Sequence, residues 1–290
     1  MGNSVCGVVI AYYPSASIVG NVRLLCEQVG HVVVVDNTPQ ADASTLFTEL
    51  EYLDACTVIR NGINLGIATA LNIGIRHAIS QGFAWIITFD QDSQVQDGYV
   101  EAMLSTFDDA AKYCEAAIVC PRYQDARIGC FLPTHRTANG DVVACITSGA
   151  MVSAETFESF GKMEEDLFID YVDLEFCLRI RAAGLKIVEC SNAILVHSLG
   201  RMTQHKFLWK TFSTTNHSAK RRYYITRNRL VLIKRYFDKD REWAFGDFKG
   251  IVLETIKMLL VEQDRLSKFR YMARAVYDAI FDKLGQRIPL

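Results

Sequence analysis

An α/β protein with a mostly parallel sheet, helices on its flanks and a helical extension at the C-terminus is what this sequence predicts, on three observations. Half of the 290 residues are hydrophobic, enough to bury a full core as one large domain or as a domain with an extension. Short apolar, β-branched runs alternate with helix-like stretches through the first 200 residues, the order expected of parallel crossovers. Beyond that point apolar residues recur at helical spacing among many Lys and Arg. The charges divide at the same place. Residues 1–200 carry 11 Lys and Arg against 24 Asp and Glu, while 201–290 carry 20 against 9, so −13 and +11 lie behind a net charge of −2. The expected domains are therefore 1–200 and 201–290. A basic region suits phosphates, anionic lipid or nucleic acid, although solvated helix faces also carry charge.

The first strand is expected at Ser4 to Ala11, followed by the turn Tyr12-Tyr13-Pro14-Ser15 and a helix ending near Gly30. No G-x-G-x-x-G follows it, which argues against a dinucleotide-binding enzyme, whose pyrophosphate sits on that turn. Val32 to Val35 is the second strand and ends at Asp36-Asn37-Thr38-Pro39. Ligand groups gather at the carboxyl ends of parallel strands. Asp36 is either a turn aspartate or an acceptor for the imide N–H of a pyrimidine base. Thr57 to Arg60 forms a third strand. After it, Asn61 to Ala68 is rich in Asn and Gly, which suits a tight backbone approach to a ligand or a plain turn with a helix cap. A helix holding Asn72 then runs to about Gly82.

Phe83 to Ser93, F-A-W-I-I-T-F-D-Q-D-S, is a buried strand ending in two aspartates. Residues two apart on a strand face the same side, so Asp90 and Asp92 present their carboxylates together while Gln91 points away. That pair is half of a site for Mg²⁺ or Mn²⁺, whose open positions diphosphate oxygens fill. The plainer reading is an acidic turn. A helix cap does not explain the pair, because Asp97 can cap the helix expected from about Gly98 to Tyr113.

A strand at Ala116 to Cys120 and a polar loop over 122–144 lead to Asp141 to Thr147, expected as a strand delivering Ser148-Gly149-Ala150 to a site edge. A second acidic cluster, Glu164 to Asp173, opens a helix over Tyr171 to Ala183. Asp170 can cap that helix and Asp173 lies in its first turn, where the macrodipole favours a carboxylate. Alternatively Asp173 is a general base aimed into a cleft, with Glu175 the second choice. Short strands at Leu185 to Val188 and Ala193 to Val196 precede His197.

Lys220 to Arg229 interleaves cations and aromatics on a helix. No nucleic-acid-binding signature accompanies it, so a diphosphate or lipid headgroup suits it better than nucleic acid. From Phe248, helical periodicity continues to residue 280, compatible with packing on the body, with an oligomer contact or with a membrane interface. Nine scattered cysteines without a C-x-x-C pair read as core residues in a reducing compartment. No signal segment and no run of 18 apolar residues occurs, which points to a cytoplasmic location.

Taken in order, these motifs resemble the inverting family 2 glycosyltransferases of the GT-A fold, most closely bacterial rhamnosyltransferases using dTDP-L-rhamnose, over roughly residues 5–230. A-Y-Y-P and V-D-N-T are similar to the family's base pocket and implicate Tyr12, Pro14 and Asp36. N-x-G-I-A-x-A-x-N-x-G is similar to its next nucleotide-contacting segment, with Asn64, Gly66, Ala68 and Asn72. D-Q-D-S matches the D-x-D element, implying Asp90 towards ribose and metal and Asp92 on the metal. T-S-G-A resembles the acceptor-side loop, with Ser148, Gly149 and nearby Asp170. Y-V-D-L-E-F-C-L-R stands where the family carries its catalytic base and matches at Asp173; many relatives have Glu-Asp where this chain has Val172-Asp173. His197 matches the histidine closing the metal site, and R-R-Y-Y-x-x-R-N resembles a diphosphate-contacting segment with Arg221, Arg222, Tyr223, Tyr224 and Arg227.

The resemblance implies transfer of rhamnose from dTDP-L-rhamnose to a saccharide acceptor, lipid-linked at the inner face of the cell membrane, with Mg²⁺ or Mn²⁺ as cofactor and the basic helices touching anionic lipid. The alternatives are the same scaffold with a UDP- or GDP-linked sugar, a nucleotidyltransferase, and a non-catalytic nucleotide- or carbohydrate-binding module. A-Y-Y-P lacks the Gly-rich basic loop of the nucleotidyltransferases.

Overall fold

The computed structural model describes residues 4–39, 45–125, 129–197, 203–207 and 210–289. They form two compact units: residues 1–165 with 172–198, and residues 166–171 with 199–290. The second unit thus takes in six residues from the middle of the acidic half, an excursion that the composition break at residue 200 does not reveal.

The first unit is a mixed sheet between helices. Its elements in order are β1 (Val5–Ala11), α1 (Ser17–Cys26), β2 (His31–Asp36), α2 (Thr45–Glu51), β3 (Cys56–Arg60), α3 (Ile67–Ser80), β4 (Trp85–Asp90), β5 (Gln94–Val95), α4 (Tyr99–Ala110), β6 (Ala116–Asp125), β7 (Met151–Ser153), α5 (Ala154–Phe160), α6 (Val172–Ala182) and β8 (Lys186–His197). The sheet order is β3-β2-β1-β4-β7-β6-β8-β5. β3, β2, β1 and β4 run parallel, and β7 is antiparallel to both neighbours. Every residue of β1 is buried, as expected of a parallel strand covered on both faces. The main core joins β1, β2 and β4 to α1 and α4 through Val9, Val34, Ile87, Val22 and Met103.

Three expectations need correction. Asp141 to Thr147 is not a strand. It makes a single bridge, Arg136 to Val142, and then runs irregularly because its polar backbone is spent elsewhere: Thr147 O accepts from Thr88 Oγ1 at 2.6 Å and Thr88 O accepts from Gly149 N at 2.6 Å. The two short strands before His197 are one, β8, whose pairing with β6 shifts register at Pro121/Arg122. Asp97 does not cap α4. Gly98 holds that position in a left-handed conformation, and Gln28 Oε1 on the chain following α1 accepts from Val100 N at 3.3 Å.

The second unit consists of the hairpin β9 (Thr203–Phe207) and β10 (Lys210–Thr214) and the helices α7 (Ala219–Tyr236), α8 (Arg241–Val261) and α9 (Arg265–Ile280). Ser218 and Asp240 cap α7 and α8, each accepting from the backbone N–H three residues on, which satisfies one orphan donor per helix. α7 is the central helix. Tyr223 and Tyr224 on it are fully buried beside Phe168, Ala275 and Ile288.

Candidate active site

Register carries two predicted residues to one edge of the sheet. Ala11 lies level with Asp36 and Ile10 with Asp90, so the ends of β1, β2 and β4 form a row. Tyr12 and Tyr13 follow β1 on this rim. Both are exposed, with their rings edge to face at 4.8 Å, and Pro14 next to them is half-buried. An exposed aromatic pair offers a π-face for a nucleobase. Asp36 is 6% exposed, and its Oδ1 accepts from Thr38 N at 2.9 Å. It therefore shapes its own turn, whatever else it binds.

The neighbouring asparagine, which the sequence reading passed over, organises this corner. Asn37 donates to Asn64 Oδ1 at 3.1 Å and to Gly66 O at 3.2 Å, while its Oδ1 accepts from Asn61 Nδ2 and Leu65 N. It knits the ends of β2 and β3 to the start of α3. Asn64 is half-buried and shapes the loop by accepting from Gly66 N at 3.0 Å. The helix behind it departs from expectation. Ala68 is fully buried as core. Asn72 is buried too, holding Met163 through both amide groups at 2.9 Å and Glu165 at 2.8 Å. Its amide ties α3 to the loop before α6. Burial would raise the Glu165 carboxyl, but hydrogen bonds from Asn72, Arg76 and Thr69 hold it below the ordinary carboxylate range.

The acidic pair sits on a turn braced from both sides. Gln91, between the aspartates, points back to β1, accepting from Tyr12 N at 2.7 Å and donating to Tyr12 O at 3.2 Å. Ser148 braces the other side, accepting from Asp90 N at 3.2 Å and bonding Ser93 Oγ at 2.6 Å. Asp92 is exposed and Asp90 half-buried. His197 ends β8 one residue beyond the Gln94–Val196 pair, so its backbone comes beside the close of this turn. Among the described residues no three His, Cys, Asp or Glu side chains form a ready cation cage. Two rim carboxylates fit Mg²⁺ or Mn²⁺ nonetheless, since such ions are commonly held by one or two carboxylates and complete their shell with water and phosphate oxygens.

Ser148 and Gly149, expected on the acceptor side, have structural partners. Ser148 is 1% exposed. Gly149 has φ +81° and an added Cβ would meet Tyr99 Oη at 2.5 Å, so only glycine fits there. Its carbonyl accepts from Tyr99 Oη at 2.8 Å.

Asp173 is the second residue of α6, its Oδ1 accepting from Leu174 N at 2.8 Å. It lines a small, largely apolar pocket with Thr88, Ile146, Met163 and Phe176. Cys177, one turn along α6, is in the same wall, with its sulfur 3.8 Å from Cys145 Sγ. Hydrogen bonds with Cys120 and Cys177, then burial, push the Cys145 thiol well up, so it stays neutral near the carboxylate. Glu175, the second choice as base, is buried and paired with Arg179 at 2.6 Å, which also donates to Phe160 O and Lys162 O. It is a bracing residue.

The basic segment, expected to contact a diphosphate, is bonded within the helical unit. Arg222 donates to Glu262 at 2.6 Å, Tyr223 to Asp278 at 2.6 Å and Tyr224 to Ile288 O at 2.7 Å. Arg227, fully buried, donates to Asp166 O, Leu167 O and Gly285 O. These side chains build the interior of the helical unit. Arg221 is exposed and forms a two-pronged bond to Asp170 at 3.2 and 2.9 Å, so Asp170, at φ +61°, is an ion-pair partner and not the cap of α6.

Residues 8–128 match the glycosyl transferase family 2 model. The chain is 29% identical over 292 residues to the dTDP-rhamnosyl transferase RfbF of Shigella flexneri, covering 95% of this chain and 94% of that protein. It is 27% identical over 220 residues to the galactofuranosyltransferase GlfT1 of Mycobacterium tuberculosis, covering 69% and 72%. Among solved structures, GalNAc-T7 with UDP, GalNAc and Mn²⁺ superposes with TM-score 0.60 at 13% identity over 94% of this chain and 56% of that one. S. aureus TarS 1-349 with UDP does so with TM-score 0.56 at 12% identity, over 96% and 72%. Residues 8–128 are thus a glycosyl transferase family 2 domain, and the chain is a glycosyltransferase of the GT-A fold.

Proposed function

We propose that this glycosyltransferase moves L-rhamnose from dTDP-β-L-rhamnose to a saccharide hydroxyl with inversion at the anomeric carbon. The observation that carries the choice of donor is the 29% identity to a dTDP-rhamnosyl transferase along nearly the full length of both chains. In this reading the thymine base stacks at Tyr12 and Pro14 and its imide N–H is accepted at Asp36, on the rim that Asn37 and Gln91 hold rigid. Asp90, Asp92 and His197 flank the diphosphate, where a bound Mg²⁺ or Mn²⁺ would neutralise the charge that grows as the bond to the sugar breaks. Asp173 accepts the proton of the acceptor hydroxyl, whose oxygen attacks the anomeric carbon opposite the departing dTDP. One carboxylate suffices, because a diphosphate leaves without being protonated. The acceptor is a lipid-linked saccharide at the cytoplasmic face of the membrane, in cell-surface polysaccharide or O-antigen synthesis.

A second reading, the same chemistry with another sugar, is favoured by the similarity to a galactofuranosyltransferase over 69% of the chain. Calorimetric titration with dTDP, UDP and GDP, each with and without Mg²⁺ or Mn²⁺, separates the two. Metal-dependent preference for dTDP supports rhamnose, and preference for UDP overturns it. Absence of binding by all three removes the proposed donor pocket.

A further inference from the structure

The helix α8 is built inside out. A helix on a globular protein ordinarily turns its apolar stripe to the core and its charges to water. In α8 the residues facing α7 include Asp247 and Glu254, and the outward arc is hydrocarbon. Asp247 receives a two-pronged bond from Arg229 at 2.9 and 3.0 Å. Glu254 pairs with Arg229 at 3.0 Å and with Arg222 at 3.8 Å. Between them Gly250 lets the guanidinium lie against the helix, for a Cβ there would sit 2.5 Å from Arg229 Nη2. Only Ala244 and Met258 of its 21 residues are buried. On the opposite side Phe245, Phe248, Val252, Ile256, Leu259 and Leu260 are each between 40% and 59% exposed. Their spacing keeps them within one broad arc of the helix for its full length of about 30 Å.

We propose that this outward arc of α8 is a docking face for an anionic lipid surface, on which the helix lies flat with its hydrocarbon in the headgroup and acyl boundary. Charge decides between lipid and protein as the occupant. Beyond the first turn, the two acids of α8 are spent on Arg229 and Arg222, whereas Lys249 lies exposed on the outward side and Lys257 half-exposed at its flank. One exposed acid, Glu242, remains in the first turn, but Lys249 and Lys257 stand against it in a region of 20 Lys and Arg to 9 Asp and Glu, a balance that suits anionic headgroups. Two copies meeting through the same face would instead bring this net positive charge together. No described helix is long and apolar enough to cross a membrane, so the contact is interfacial. The inference stands on the helical unit alone and is independent of which sugar is transferred.

The test is co-sedimentation of the full chain with vesicles of phosphatidylcholine alone and of phosphatidylcholine mixed with phosphatidylglycerol, with light scattering of the free protein alongside. Binding to the mixed vesicles is expected, and Phe248→Gln/Val252→Gln/Ile256→Gln should weaken it at least about tenfold, since three exposed hydrocarbon groups are lost. Replacing Lys249 and Lys257 by Gln should weaken it about fivefold per cation, with a shallower salt dependence. These side chains are not part of the buried network, so circular dichroism and donor titration should match the parent. If the triple variant fails to fold, the Lys pair decides. Absence of binding to mixed vesicles, equal binding by the variants, or a dimer in solution that the triple variant dissolves would each overturn the proposal.

Discussion

The sheet unit and the helical unit solve the problem of burial in opposite ways. Around β1 and β4 the interior is hydrocarbon, and the polar groups collect at the carboxyl rim where Asp36, Asn37, Ser93 and Ser148 bond one another's loops. In the helical unit the interior holds Arg222, Arg227, Asn228, Arg229, Glu262 and Lys268, while the aromatic and aliphatic side chains of α8 face outward. Hydrocarbon burial is forgiving, because removing a methyl group costs only its transfer energy and a small cavity. A buried ion network is unforgiving, because removing one partner strands another charge away from water. The hydrocarbon core around β1 and β4 should therefore tolerate conservative change, and the second unit should fail at single residues in its centre.

Four experiments can break or sharpen this contrast. The largest effect is expected at α6: Asp173→Asn should lower turnover by about 10²–10⁴-fold while nucleotide affinity in calorimetry stays near the parent value. Full activity would move the base away from α6. Next, Glu262→Ala leaves Arg222 and Lys268 buried without their shared carboxylate and should cost about 3–5 kcal/mol of stability in denaturant unfolding. By comparison, Ile87→Val in the sheet core should cost about 0.5–1.5 kcal/mol; the reverse ranking would dissolve the contrast. A smaller loss, about 1–3 kcal/mol, is expected for Asn37→Ala, which leaves Asn61 Nδ2 and Leu65 N without their acceptor, together with weaker nucleotide binding.

The smallest effect is a matter of pH. Burial would push the Glu262 carboxyl up, but the ammonium of Lys268 and the guanidinium of Arg222 hold it below its ordinary range. A depressed carboxyl contributes stability that is complete above its unfolded value, about 4.3, and is lost as pH falls through the lower folded value. Acid unfolding followed by helical circular dichroism should be less steep in Glu262→Gln. An unchanged pH profile would mean that Glu262 is not held ionised by its neighbours.

The alternation of apolar runs made the parallel strands readable, because it rests on local geometry; β4 ends at Asp90, so the strand period does not extend to Asp92 in the turn that follows. Asp173 was readable as an acid in the first turn of a helix. What the residues could not announce was the direction in which a polar side chain points. Asn72 meets Met163 across 91 residues and Arg227 meets Leu167 across 60, so a motif position that looked like a ligand contact was answered by a distant backbone carbonyl. Gln91 is instructive in the same way. Alternation turned it away from its neighbours, and only the fold shows that it turned towards Tyr12 and tied two rim loops into one piece.

Residues 166–171 are held by the helical unit: Asn228 donates to the carbonyls of Leu167, Ile169 and Asp170, and Arg227 to those of Asp166 and Leu167. The chain resumes the sheet unit at Val172, one residue before the proposed base. The C-terminal ninety residues are thus not a detachable tail. A truncation near residue 200 would strip this segment of its hydrogen-bond donors immediately upstream of Asp173. A chimera exchanging the helices between relatives would have to carry 166–171 along with them.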